Sequence, residues 1–176
     1  MIAVRRLVPV VLLVTASACA RTPAPPASAP VGIPDDAQPA RVVRVVDGDT
    51  VLLRGSGAGP LPGSDTRVRL LEIDAPESVA PDRPVECFGP EASRGLARLL
   101  PEGAPVWVQR DEELLDPFDR VLLYVWTDGG DFVNLEMVRS GLAEAVLFEP
   151  NDLWIDAVRA AEDEARDAGR GLWGEC

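Results

Sequence analysis

The chain contains no histidine, and each of its 17 basic residues is an arginine. Imidazole and amine catalysis are therefore excluded. A serine or cysteine nucleophile would lack its usual base, a zinc site its commonest ligand and a Walker-type phosphate loop its lysine. Positive charge is scarce as well as uniform: against 29 acidic residues, the arginines leave a formal net charge of −12. A long-range field of that sign repels polyanions and gives no general affinity for nucleic acid. Only three cysteines occur, and 176 residues leave room for one catalytic domain and not a second. The 47% hydrophobic and 26% charged residues are the balance of a chain that can bury a core, which excludes disorder of the whole. The chemistry that remains is that of carboxylates, guanidiniums and a hard metal ion.

The apolar run Leu7–Val14 is too short to span a bilayer. It follows Arg5 and Arg6 and precedes Ala16, Ser17 and Ala18, so residues 1–18 read as a secretory signal. A cysteine directly after small residues is similar to the lipobox of bacterial lipoproteins, which would make Cys19 the lipidated residue. Residues 19–40 are rich in Pro and Ala, cannot bury enough apolar surface to fold, and are expected to form an extended tether. The folded domain is then expected over 41–176. Cys87 and Cys176 remain as an even pair in an exported domain. One disulfide between them would pin the C-terminal tail to the loop before the first helix, the alternative being two unpaired thiols.

From Arg41 onward, β-branched and leucine residues recur in short runs. Val42–Leu53 reads as one long bent strand broken at Asp47-Gly48-Asp49, joined through a Gly/Pro-rich loop at 55–65 to Thr66–Ile73. Val106–Arg110, Val121–Thr127 and Ala143–Phe148 complete five strands. Pro90 opens a helix with Ala92, Leu96 and Leu99 on one face. Asn134 is expected to cap a short helix closed by Gly141. The last helix starts after Asn151 or Asp152 and runs to Ala168, with Trp154, Ile155, Val158, Ala161 and Ala165 on one stripe. The pattern is that of an α+β domain, a small barrel or curled sheet with helices on one side.

Asp49 lies in a break within apolar strand sequence, and Asp74 ends another strand just before Pro76. Two carboxylates converging from such fixed positions make an oxygen-ligand site for a cation such as Ca2+, with water completing the shell. Taken singly, each is a turn residue that bonds its own backbone. Arg69 and Arg120 carry planar forks that match phosphate oxygens, unless they instead pair with Glu72, Asp116 or Asp119. With a carboxylate such as Glu77 to aim water, this set is enough to cut a phosphodiester.

Taken in order, DGDTV at 47–51, RLLEIDAPE at 69–77, GPEAS at 89–93, FDR at 118–120 and NLEMVRSGLAEA at 134–145 resemble the staphylococcal nuclease family, over roughly 41–173. The resemblance implies a five-stranded OB-fold barrel with three helices and a Ca2+-dependent phosphodiesterase that cuts DNA and RNA. It also implies that Asp49, Asp74 and the backbone carbonyl of Ala75 bind the metal, with Asp47 behind them. Glu77 would orient or deprotonate the attacking water, and Arg69 and Arg120 would grip the phosphate. Departures fall around the substrate groove. Pro117-Phe118 replaces the family's lysine-tyrosine pair, Asp119 stands where Gly is usual, and Val146 and Phe148 stand where tyrosines occur. Arg83, Phe118 and Phe148 remain as candidates for holding the nucleotide. The leading expectation is a monomeric, exported nuclease, lipid-anchored or secreted, with a weakened hold on its polyanionic substrate. The alternative is an OB-fold module that binds nucleic acid or protein without cutting. A third reading has Asp49 and Asp74 holding Ca2+ for structure alone.

Overall fold

The computed structural model describes residues 32–79 and 84–176; the signal-like segment, Cys19 and Arg83 lie outside the described residues. The elements are β1 (Gln38–Asp47), β2 (Thr50–Gly55), β3 (Asp65–Leu70), β4 (Ile73–Asp74), α1 (Gly89–Leu99), β5 (Pro105–Gln109), β6 (Val121–Thr127), α2 (Val133–Arg139), β7 (Glu144–Ala145), α3 (Ile155–Asp167) and the single turn α4 (Leu172–Glu175). Five strands close a barrel in the order β1-β2-β3-β6-β5, with β5 returning to β1. The β3–β6 pair is parallel and the other barrel pairs are antiparallel. Period-two alternation sets the two faces: Val51, Leu53, Val68, Val106 and Val108 are buried inside, while Arg54 and Arg67 face out.

Three expectations about the strands change. The bent strand expected over Val42–Leu53 is a tight hairpin, because Asp47 pairs with Thr50 across Gly48-Asp49. Apolar residues on both flanks make the run look continuous, but Asp-Gly carries the turn signal. β1 begins at Gln38, inside the expected 19–40 tether and before the expected strand start at Val42, since Gln38–Arg41 pair with Val108–Pro105 of β5. The expected strand Ala143–Phe148 contributes only the two residues of β7, which pair with β4 outside the barrel.

Aromatic side chains join the helices to the barrel. Trp126 of β6 stacks on Phe132 with centroids 4.4 Å apart, and Tyr124 and Trp154 pack against them edge-on. Ile155, Val158, Ala161 and Ala165 turn the apolar stripe of α3 inward. A disulfide joins Cys87, just before α1, to Cys176 at the end of the chain.

Asn134 does not cap α2; Phe132 holds that position. Asn134 is fully buried, accepts the Val125 N–H at 3.0 Å and donates to the Leu71 carbonyl at 2.8 Å. Its amide thus ties β6 to the turn between β3 and β4. Glu72 occupies that turn at φ 61°, a left-handed conformation that strains a residue with a side chain. Compensation comes from hydrogen bonds: Oε1 accepts from Tyr124 Oη at 2.6 Å and from the Trp154 N–H at 3.0 Å. Oε2 has no partner among the described residues. Burial therefore pushes the carboxyl up to about 7, with Asp111 adding to the shift and the Tyr124 and Trp154 hydrogen bonds only partly opposing it.

Asn134→Leu strands one buried donor and one buried acceptor and is expected to cost about 2–4 kcal/mol in urea unfolding. Because the Glu72 pKa is raised on folding, its contribution is fully present below the unfolded carboxylate value. That contribution is lost as the pH rises through about 7. Unfolding free energies measured from pH 4.5 to 7.5 should thus carry a falling component that Glu72→Gln removes; an unchanged slope in the variant would refute it.

Candidate active site

Three turns and the edge of β3 meet at one polar cavity of about 360 Å³. The first turn is Asp47-Gly48-Asp49. A Cβ at Gly48 would fall 2.6 Å from the Ala75 Cβ and 2.8 Å from the Ala92 Cβ, so the missing side chain lets this turn pack against both β4 and α1. Asp47 Oδ1 accepts from Gly48 N–H at 2.8 Å, Ser78 Oγ at 2.6 Å and Ser93 Oγ at 2.9 Å. Burial alone would raise the Asp47 carboxyl, but these donors, together with a hydrogen bond to the Glu77 side chain, outweigh it and hold the pKa below its ordinary value. Asp49 is buried, with Oδ1 accepting from Thr50 Oγ1 at 2.8 Å and Oδ2 from the Ala75 N–H at 3.3 Å.

Arg69 is the centre of the group. Only 4% exposed, it donates through Nη1 to the carbonyls of Leu70 at 2.7 Å and Ile73 at 2.6 Å. Its Nη2 sits between two carboxylates, 2.7 Å from Asp74 Oδ1 and 3.1 Å from Asp49 Oδ2. Burial lifts the Asp74 carboxyl above its usual value; the Arg69 charge opposes that shift and the Asp49 charge adds to it. The Phe148 ring lies 5.2 Å from the Arg69 guanidinium carbon.

The parallel register of β3 and β6, with Val68 beside Val121, brings Arg120 alongside β3. Asp116, not the adjacent Asp119, fixes its side chain: Nε lies 2.5 Å from Asp116 Oδ2. Oδ1 of Asp116 accepts the N–H groups of Phe118 and Arg120 at 2.8 and 2.9 Å, while Asp119 takes the left-handed position of this turn at φ 60°. Burial would raise Asp116, yet the Arg120 and Phe118 hydrogen bonds bring its pKa below the ordinary value, so it stays ionised beside Arg120.

Glu77 is held by its backbone. Its N–H donates to Glu86 Oε2 at 2.9 Å and its carbonyl accepts the Glu86 N–H at 2.9 Å. Oε1 accepts from the Val79 N–H at 2.8 Å. The close approach of Gly89, where a Cβ would lie 2.5 Å from the Glu77 oxygen, seats this segment against the start of α1.

The cavity lining thus gathers Asp47, Asp49, Arg69, Asp74, Ala75, Glu77, Arg120 and Phe148. A more apolar cleft of about 460 Å³ opens beside it, sharing Arg69, Arg120 and Phe148 and including Phe118, which is 79% exposed with its ring 5.6 Å from the Arg120 guanidinium carbon. Four supporting residues carry no motif of their own in the sequence: Ser78, Ser93, Glu86 and Asp116. Ser93 closes the GPEAS segment and Asp116 appears there only as a competing partner for Arg120, so neither function is legible before folding. No three His, Cys, Asp or Glu side chains cluster as a metal site among the described residues. The donors are two carboxylates sharing one guanidinium nitrogen, with the Ala75 backbone on the same cavity wall. An all-oxygen set with net negative charge and room for water fits a hard cation and suits no metal that requires nitrogen or sulfur.

A model of the staphylococcal nuclease homologue family matches residues 67–175. The chain belongs to the staphylococcal nuclease family. A thermonuclease of Staphylococcus intermedius is 35% identical over 132 residues, covering 75% of this chain and 74% of that protein. A thermonuclease of Staphylococcus hyicus is 31% identical over 133 residues, covering 76% and 74%. Endonuclease YncB of Bacillus subtilis (strain 168) is 33% identical over 131 residues, covering 74% of this chain and 59% of that protein. The family match begins at Arg67, downstream of the Asp47–Asp49 turn, which joins the cavity through the contacts described above.

The packing at Gly48 gives a direct check. Gly48→Ala must push the turn away from Ala75 and Ala92, with an expected cost of about 1–3 kcal/mol in thermal unfolding; an unchanged Tm would show that the turn is not clamped as described.

Proposed function

We propose that this chain is an exported, Ca2+-dependent nuclease that hydrolyses phosphodiester bonds of DNA and RNA by metal-assisted attack of water. The observation that carries this reading is the convergence of two fixed guanidiniums, two carboxylates and Glu77 on one polar cavity of about 360 Å³. In this reading Asp49, Asp74 and the Ala75 carbonyl hold Ca2+, which when bound supplies positive charge next to a phosphoryl oxygen. Arg69 is braced through Nη1 by two carbonyls, and its Nη2 would exchange Asp49 and Asp74 for the phosphate once those carboxylates hold the cation. Arg120, oriented by Asp116, meets the same phosphate from the β6 side. Together they stabilise the charge that builds on the phosphoryl oxygens as water adds. Glu77 accepts a hydrogen bond from that water and directs it at phosphorus in line with the leaving oxygen. Asp47, held by Ser78 and Ser93, fixes the turn that carries Asp49.

Phe148 and Phe118 supply stacking surface for a base beside the phosphate. Both rings also lie over the arginines, so base and phosphate are gripped by one continuous wall. Export is supported by the signal-like residues 1–18, the Pro/Ala-rich tether and a disulfide, a bond that persists in oxidising compartments. Lipidation at Cys19, or release after cleavage, and action as a monomer belong to the same proposal.

The test is cleavage of single-stranded DNA by the full chain at low salt, with Ca2+ or with chelator. Chelation is expected to abolish cutting. Glu77→Gln should lower kcat by about 10²–10⁴ and Arg120→Ala by about 10²–10³, with thermal unfolding showing that both remain folded. No cutting by the folded wild-type chain in Ca2+ would instead identify a module that binds without hydrolysis.

A further inference from the structure

Aiming water tolerates little movement of the group that aims it, yet Glu77 lies between regular elements, after β4 ends at Asp74 and before α1 begins at Gly89. Glu86 fixes its backbone instead. The Glu86 carboxylate accepts the Glu77 N–H at 2.9 Å, and the Glu86 N–H donates to the Glu77 carbonyl at 2.9 Å. Glu86 also lines the central cavity. Residues 84–87 are exposed, so burial does little to hold this segment. A backbone bond from the Gly89 N–H to the Glu86 carbonyl, at 3.1 Å, joins it to the start of α1. Phe88 lies within that turn at φ 69°, a left-handed conformation that a residue with a side chain keeps only when its surroundings impose it.

The remaining constraint is covalent. Cys87 is bonded to Cys176, 89 positions further along the chain. Cys176 follows α4, which is itself anchored: Leu172 is buried and its N–H donates to the Gly141 carbonyl at 2.9 Å. Next to it, the Arg166 guanidinium carbon lies 4.2 Å from the centre of the Trp173 ring. The disulfide therefore moors the Glu86 segment to the end of α2 and to α3. The buried core includes neither cysteine, so the bond holds this segment rather than the barrel. Both cysteines are exposed, which opens the bond to attack by a thiolate from solvent.

We infer that Glu86 is a positioning residue for Glu77 and that the Cys87–Cys176 disulfide sets its hold, so that turnover depends on the oxidised state of this bond. Reduction takes two electrons and two protons from a dithiol, which closes to its own disulfide, and leaves Cys87 and Cys176 as thiols. The turn at Phe88 then relaxes, Glu86 releases the Glu77 backbone, and the Glu77 carboxylate no longer aims water along the line of attack. Asp49, Arg69 and Arg120 rest on other contacts, so cation and phosphate are still held. The chain is thus slow where thiols are kept reduced and becomes fast on reaching an oxidising compartment. The catalytic consequence rests on the nuclease reading; the latch itself rests on the contacts.

The test compares the full chain, oxidised or treated with excess dithiothreitol, in Ca2+, with circular dichroism recorded on both forms. Reduction is expected to lower kcat on single-stranded DNA about tenfold and to change KM less than about twofold, with activity returning on reoxidation. A variant carrying Cys87→Ser and Cys176→Ser should match the reduced chain and ignore dithiothreitol, which separates this bond from any effect of Cys19. In the oxidised chain, Glu86→Ala should also lower kcat about tenfold, whereas Glu86→Gln keeps an oxygen for the Glu77 N–H and should stay within about threefold of wild type. A disulfide that only stabilises the fold would lower Tm and leave kcat unchanged. That result overturns the inference, as does a Glu86→Gln variant as slow as Glu86→Ala, or unfolding of the whole chain on reduction. Amide hydrogen exchange reads the latch without any cutting. On reduction the Glu77 and Glu86 N–H groups should exchange about tenfold faster, while those of Val42 and Val125, bonded within the barrel and to Asn134, keep their rates. Equal Glu77 and Glu86 rates in both redox states sink the proposal. If exchange responds as expected while the oxidised chain cuts nothing, the latch stands and the hydrolytic reading fails.

Discussion

One guanidinium organises both the fold and the site. Arg69 is buried on β3, where an unpaired charge would be prohibitively costly, and four acceptors offset that cost. Two of them are the Leu70 and Ile73 carbonyls that flank the turn between β3 and β4, so the cation holds the backbone that presents Asp74. The other two are the carboxylates of Asp49 and Asp74, which arrive from different hairpins and would repel each other without it. The pieces around Arg69 are built to keep it there. Asn134 anchors Leu71, Glu72 anchors the turn to Tyr124 and Trp154, and Gly48 admits the Asp49 turn. Asn134 of α2 and the Trp154 N–H at the start of α3, both away from the cavity, thereby help set the position of Arg69.

Arg120 follows a second logic. It stands where β6 begins, more exposed than Arg69, and a single carboxylate aims it. Asp116 spends both oxygens on its own turn and on Arg120, so it completes the loop and orients the cation together. The two arginines thus differ in kind, one an internal brace and one a positioned arm, although in the sequence they look alike. Charge is likewise organised by the fold. A formal −12 describes the molecule at long range, whereas Arg69 and Arg120 are gathered at the cavity. At separations beyond the Debye length the net value matters; at contact these two cations do.

Much of this was legible before folding. The motifs DGDTV, RLLEIDAPE and FDR, in that order, named the residues that line the cavity, and the α3 stripe of Ile155, Val158, Ala161 and Ala165 named the helix that closes the core. Local signals failed where a residue serves a distant partner. Asn134 has the chemistry of a cap, and only the approach of Leu71 and Val125 makes it a buried clamp. Residues 42–53 read as one strand because apolar alternation runs through both arms of the hairpin.

The sequence by itself determined the chemistry that is available: carboxylates and guanidiniums with no imidazole or amine, a mixed α+β pattern, and family motifs whose order survives in one chain. These are properties of residue type and spacing, which composition and periodicity record directly. Tertiary structure alone decided which carboxylate holds which arginine, that Ser78 and Ser93 support Asp47, and that Glu86 grips Glu77. Those facts depend on strand register and on contacts between residues far apart in the chain, and a one-residue slip in pairing would turn each side chain to the opposite face.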